Sequence, residues 1–170
     1  MIQVDETVRA KIRAALEQSP SAMTLQLARK LGVPEVEIVR AMPADRVTAL
    51  DAGKTREIIE ALAAFGKVHV IVSNGATTLE SFGQFAGFSE WGEFFNVQSK
   101  SLDMHIRWER INDVFAVEKP GHMDGVNTMS VQFYDADGHA AFKAFLSFGG
   151  SAPLPERFAE FQQLRDRFRR

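Results

Sequence analysis

Cysteine is absent from this chain. Disulfides, thiolate zinc sites, iron–sulfur clusters and thioether-bound haem are therefore excluded. Tyrosine occurs once against fourteen phenylalanines. The aromatic content is thus nearly all apolar, suited to filling a core or walling a site for a flat ligand. No apolar run approaches the roughly 20 residues that cross a bilayer as a helix. The opening Met-Ile-Gln-Val-Asp-Glu has no basic segment followed by an apolar one, so a cytoplasmic location is expected. Charge of one sign is also lacking: the net is −2. No global positive field draws nucleic acid or a membrane surface. G-x-S-x-G, the Walker phosphate loop and H-E-x-x-H do not occur, which removes the commonest hydrolase, nucleotide and zinc-peptidase readings.

What is present reads as one domain over residues 1–170, helical over 1–65, an antiparallel sheet over 66–148 and a terminal helix over 149–170. Helical spacing is clear over Asp5–Gln18, Ser21–Leu31 and from Pro34 to Pro43, with Gly32 as a C-terminal cap. The first fifty residues all read as helical, and Asp51–Phe65 adds another amphipathic helix. After Gly66 the period changes to two. Val68, Val70 and Val72 lead to Asn74-Gly75, which predicts a type I′ hairpin into Thr77–Phe82. Phe82–Gln98 reads as a bent strand, or a loop with one short strand at Phe94–Gln98. Further strands are expected at Leu102–Glu109, Val114–Lys119, Thr128–Tyr134 and His139–Phe148, the last two joined by Asp135-Ala136-Asp137-Gly138. Pro120–Asn127 is a loop, Gly149–Pro153 a break, and Pro155–Arg170 a helix. Helices, then consecutive antiparallel strands, then a helix make an α+β fold.

The most informative segment is Ser101–Lys119. Leu102, Met104, Ile106 and Trp108 alternate with Asp103, His105, Arg107 and Glu109. A strand sends these to opposite faces. The apolar set buries, and the other face sets an imidazole beside a guanidinium, able to ligate a metal or meet an anionic cofactor. The other histidines are His69, on the parity of Ile71 and Ser73, His122 in a loop, and His139 after a turn. No pair has the spacing of a zinc site. Thr24–Met42 resembles a helix-turn-helix that reads DNA through its second helix. That helix offers Glu35 and Glu37 with Arg40 as its single cation, whereas phosphate contact needs Lys and Arg.

Several short pieces, in order, resemble the cytosolic haem-utilisation carriers of the ChuX/HutX type. They are Phe65-Gly66-Lys67-Val68, Phe94-Phe95-Asn96-Val97, Val117-Glu118-Lys119-Pro120, Met129-Ser130-Val131-Gln132-Phe133-Tyr134 and Phe142-Lys143-Ala144-Phe145-Leu146. Leu154-Pro155-Glu156-Arg157-Phe158 and the stretch from Val36 to Pro43 fit as well. The resemblance implies a curved antiparallel sheet with flanking helices, like one half of the two-repeat HemS-type proteins. It implies a homodimer that imitates two repeats, a haem-uptake or haem-degrading protein partner, and non-covalent haem b carried without being transformed. It places His105 at a position where relatives carry a haem-binding histidine. A second such position on the first hairpin holds Ser73 here, with His69 four residues earlier. The Gly-Arg-Asp of many relatives has no arginine counterpart in Leu146-Ser147-Phe148-Gly149-Gly150. Haem needs an axial donor, aromatic walls and cations for its propionates. His105 is the candidate iron ligand. Phe94 belongs to a candidate wall with Phe82, Phe85, Phe88, Trp91 and Phe95. Arg107, Lys100 and Lys119 are the candidate propionate cations. A haem-degrading enzyme and a DNA-binding regulator are the alternatives.

Overall fold

The structure, a computed structural model, describes residues 4–122, 126–146 and 154–170. Helix α1 (Glu6–Gln18) starts where the Asp5 carboxylate accepts the Val8 N–H at 2.9 Å and buries Ile12 and Leu16. Helix α2 (Thr24–Leu31) ends at Gly32, whose φ of 66° is left-handed, and α3 (Glu35–Arg40) follows Pro34. The expected all-helical start is corrected at Val47–Leu50, which is strand β1. Four residues are too few to show a period. Their conformation comes from a distant partner, β7 (Ile111–Pro120), which takes them antiparallel with Val47 opposite Val117.

Helix α4 (Thr55–Ala61) lies between 3-10 turns at Ala52–Lys54 and Leu62–Phe65. Strands β2 (Lys67–Ser73) and β3 (Thr78–Gln84) form the first hairpin. Their register joins Ser73 to Thr78, so the connection is four residues rather than the two of a type I′ turn. The two-residue turn needs positive φ at Asn74, and no described non-glycine residue has one. Instead the Asn74 side chain accepts the Ala76 and Thr77 N–H groups at 3.0 and 2.9 Å. The second hairpin forms as expected between β8 (Asn127–Asp135) and β9 (Ala140–Phe145). The Asp135 carboxylate accepts two backbone N–H groups of its turn. The break expected at Gly149–Pro153 lies outside the described residues. Helix α5 (Pro155–Phe168) closes the chain.

The strands make two antiparallel sheets, a six-stranded one ordered β1-β7-β8-β9-β2-β3 and a three-stranded one. The small sheet is β4 (Phe88–Trp91), β5 (Phe94–Gln98) and β6 (Asp103–Ile106). It resolves the bent segment into two strands. It also shortens the expected Leu102–Glu109 strand, because Trp108–Arg110 turns as a 3-10 helix into β7. One core lies between the sheets. Val68, Val70, Val131 and Phe133 from the large sheet meet Phe95, Val97 and Ile106 from the small one, with Ile58 and Ile59 of α4 and Phe161 and Leu164 of α5. On the other face of the large sheet, Ile12, Leu27, Val36 and Val39 of α1–α3 cover Phe115, Val117 and Tyr134.

The small sheet is set by one glycine. Gly87 has φ +65°, and a Cβ there would lie 2.1 Å from the Gln98 carbonyl oxygen. A backbone atom cannot swing aside as a side chain can. Gly87→Ala is therefore expected to cost about 3 kcal/mol, read as a lower urea midpoint, and to pull β4 away from β5.

Candidate functional site

The outward face of the small sheet follows from its register. Ser89 pairs with Asn96, and Asn96 with His105. Their side chains form a row across three strands. Asn96 Nδ2 donates to Ser89 Oγ at 3.1 Å, and Asn96 Oδ1 meets His105 Nδ1 at 2.7 Å. An amide oxygen only accepts, so Nδ1 carries the proton and the Nε2 lone pair of the neutral ring is left for a ligand. Asn96 is buried, at 5% exposure, while the His105 side chain is 56% exposed. The nearest charge to Nε2 is Asp103 Oδ1 at 3.6 Å, beyond hydrogen-bond length.

The same face carries aromatic and cationic groups. Phe94 stands edge-on to His105 with ring centroids 6.2 Å apart. The Arg107 guanidinium lies 5.5 Å from the Phe94 ring centre and pairs with Glu93. Trp91, opposite Phe94 in the register, is 75% exposed. Lys100 sits exposed in the β5–β6 turn, at the end of the row where Gln98 pairs with Asp103. An imidazole nitrogen, a flat apolar surface and a guanidinium thus converge on one rigid face. That set can ligate a soft or borderline metal, support a planar ring and attract a carboxylate.

The other candidates lie elsewhere. Lys119 is on β7, and its amine donates to the carbonyls of Ser21 and Pro120 beneath the helices. It does not join His105. His69 is on β2, half-buried, stacked on Phe82 at 4.4 Å and 2.9 Å from Glu80 Oε2. It faces away from the core shared by the two sheets, on the large-sheet side, while His105 faces away on the small-sheet side. One ligand cannot reach both within a chain. Ser73 accepts a hydrogen bond from Thr78 Oγ1 at the hairpin end. The aromatic run divides too: Phe85 and Phe95 are core residues, Phe82 belongs to the His69 side, and Trp91 and Phe94 stay on the His105 face. The loop motif missing its arginine lies partly outside the described residues.

Asn96 is the site residue that sequence reasoning missed. Both strands were legible, but only the register through the Ser99–Leu102 turn sets Asn96 opposite His105. Asn96→Ala is expected to weaken metal ligation through His105 about 10-fold, as loss of an outer partner usually does. Ligand titration of the variant checks this, with circular dichroism unchanged.

The would-be DNA-reading helix is occupied by packing. In α3, Glu35, Val36, Ile38 and Val39 are buried. Arg40 is bound to Glu37 and to Asp113 at 2.5 and 2.7 Å. The apolar face of this helix is spent on the core, and its single cation is spent on carboxylates.

An α+β fold with two antiparallel sheets and an imidazole exposed on an aromatic sheet face defines the class of this protein. The chain belongs to the haem utilisation ChuX/HutX family, whose match spans residues 48–164. It is 27% identical over 162 residues to the intracellular heme transport protein HutX of Vibrio cholerae, covering 94% of this chain and 83% of the relative. A crystal structure of a protein from Agrobacterium tumefaciens superposes with a TM-score of 0.84 at 28% identity, covering 97% of this chain and 94% of the other. The Escherichia coli O157:H7 heme degrading enzyme ChuS superposes with a TM-score of 0.78 at 21% identity. There, 96% of this chain covers 47% of the enzyme. The fold is thus that of one half of the longer chain, as the resemblance implied.

Proposed function

We propose that this protein is an intracellular haem carrier of bacterial haem utilisation. It holds haem b non-covalently against the small sheet, with His105 Nε2 on the iron. The hydrogen bond from His105 Nδ1 to the buried Asn96 carries this reading. It fixes the tautomer that presents Nε2, the arrangement metal-bound histidines use. Membership of the haem utilisation family and similarity to a heme transport protein support the ligand and the carrier role. Trp91 and Phe94 offer the macrocycle a flat apolar seat. Arg107 directly follows β6 and Lys100 lies in the turn before it, so cations flank the strand that carries His105, where propionates need them. A sheet face covers one side of a porphyrin. A second copy of the chain covers the other, standing where a two-repeat chain has its second repeat. A single protein ligand on the iron suits a carrier that takes haem from one protein and gives it to another.

Haem titration of the purified protein tests this. A saturable Soret shift at one haem per chain, with a solution mass near twice 18.9 kDa, is the expected result. With ascorbate under air the Soret band persists. Its loss with release of iron or a bile pigment would make the protein a haem-degrading enzyme instead.

A further inference from the structure

A second cleft has no part in the haem reading. It lies at the far end of the helical layer, with a volume of about 340 Å³, among the end of α1, the turn after α3 and the end of β7. Its walls are mostly apolar: Leu16, Met42, Pro20 and Pro43. Among the described residues three cations line it, Arg13, Arg46 and Lys119, against one carboxylate, Glu17. Arg13 is engaged by Glu6, whereas among the described residues Arg46 pairs only with the exposed Asp45, at 3.7 Å. Lys119 has the most unusual position. Its amine donates to two backbone carbonyls, at 3.2 and 2.7 Å, and among the described residues no carboxylate pairs with it. Burial, and then repulsion from Lys143, push this amine down to about 8. An ammonium in such a position lacks an anion that a ligand would supply.

We propose that this cleft binds a small organic carboxylate, its charged end on Lys119 and Arg46 and its apolar body on Leu16 and Met42. The walls are too apolar for a bare inorganic anion, and Glu17 at the lining opposes a dianion. The volume lies at the low end of small-molecule sites, so the ligand is compact.

Octanoate is the probe, with octanol and inorganic phosphate as comparators, titrated into the full chain and followed by ¹H–¹⁵N shifts. Octanoate produces saturable shifts clustered at Leu16, Ala41, Met42 and Lys119, and the two comparators bind at least 10-fold more weakly. Lys119→Met weakens octanoate 10-fold or more, and Lys119→Arg keeps binding within 3-fold, which separates charge from folding. His105→Ala leaves octanoate binding unchanged, so this site and the haem reading stand or fall separately. Equal binding of octanol, shifts scattered over the surface, or an unchanged Lys119→Met affinity would overturn the proposal.

Discussion

Haem added to His105→Ala fails to give the Soret shift of the wild-type protein, and its affinity falls by more than about 100-fold, beyond the 10–100-fold range for losing an outer partner. The reason is direct: Nε2 is the nitrogen on that face with its lone pair left free by the Asn96 contact. Free imidazole added to the variant restores part of the shift. Stability does not confuse the result. The His105 side chain is more than half exposed, and surface substitutions change stability by about 0.5 kcal/mol or less. The matched control is His69→Ala. Its ring is held by Phe82 and Glu80 on the opposite side of the core, so that variant keeps the wild-type spectrum. A loss of the Soret shift in the His69 variant, with the His105 variant unaffected, would move the iron to the other face and overturn the site.

The largest expected loss of stability comes from Lys143→Met. Glu35 on α3 is 4% exposed and pairs with Lys143 on β9, whose side chain is 13% exposed. Thr24 Oγ1 completes the set, donating to Glu35 at 2.5 Å and accepting from Lys143 at 3.1 Å. The neighbouring polar seam is also satisfied, with Tyr134 donating to Gln132 and Gln132 to Ser130. Removing the cation leaves a buried carboxylate without its partner, which costs about 3–5 kcal/mol. For a chain of this size that is a fall in Tm of roughly 6–20 °C. The double variant Glu35→Leu with Lys143→Met regains most of it, because well-packed apolar groups replace a buried pair at little cost. Thermal unfolding followed by circular dichroism measures both. If Lys143→Met melts within 2 °C of wild type, the pair does not latch the helical layer to the sheet.

Local pattern accounts for much of the fold and part of the site. Alternation over Leu102–Glu109 predicts that Leu102 and Ile106 bury while His105 and Arg107 face out, and burial follows it even where the strand gives way to a 3-10 turn. Helix ends at Asp5 and Gly32 were readable because capping depends on neighbouring residues. The first hairpin shows where this fails. Asn-Gly favours a two-residue turn, yet Ser73 and Thr78 pair across four residues, because the Asn74 side chain holds the wider loop itself. The aromatic run from Phe82 to Phe95 reads as one wall, but alternation along the extended chain sends Phe82 and Phe85, and likewise Phe94 and Phe95, to different faces, while the turns at Gly87 and Gly92 carry the run from the large sheet into the small one.

The amino-acid order alone determined the α+β class, the outward direction of His105 and the exclusion of thioether-bound haem, since each depends on composition or on neighbours within a few positions. Tertiary structure alone decided that Val47–Leu50 is a strand, that Asn96 orients His105, that His69 lies across the core from it, and that Lys119 closes a separate cleft. Each of these rests on pairing or packing between residues far apart in the chain, and a short window of sequence carries no energy term for a partner it does not contain.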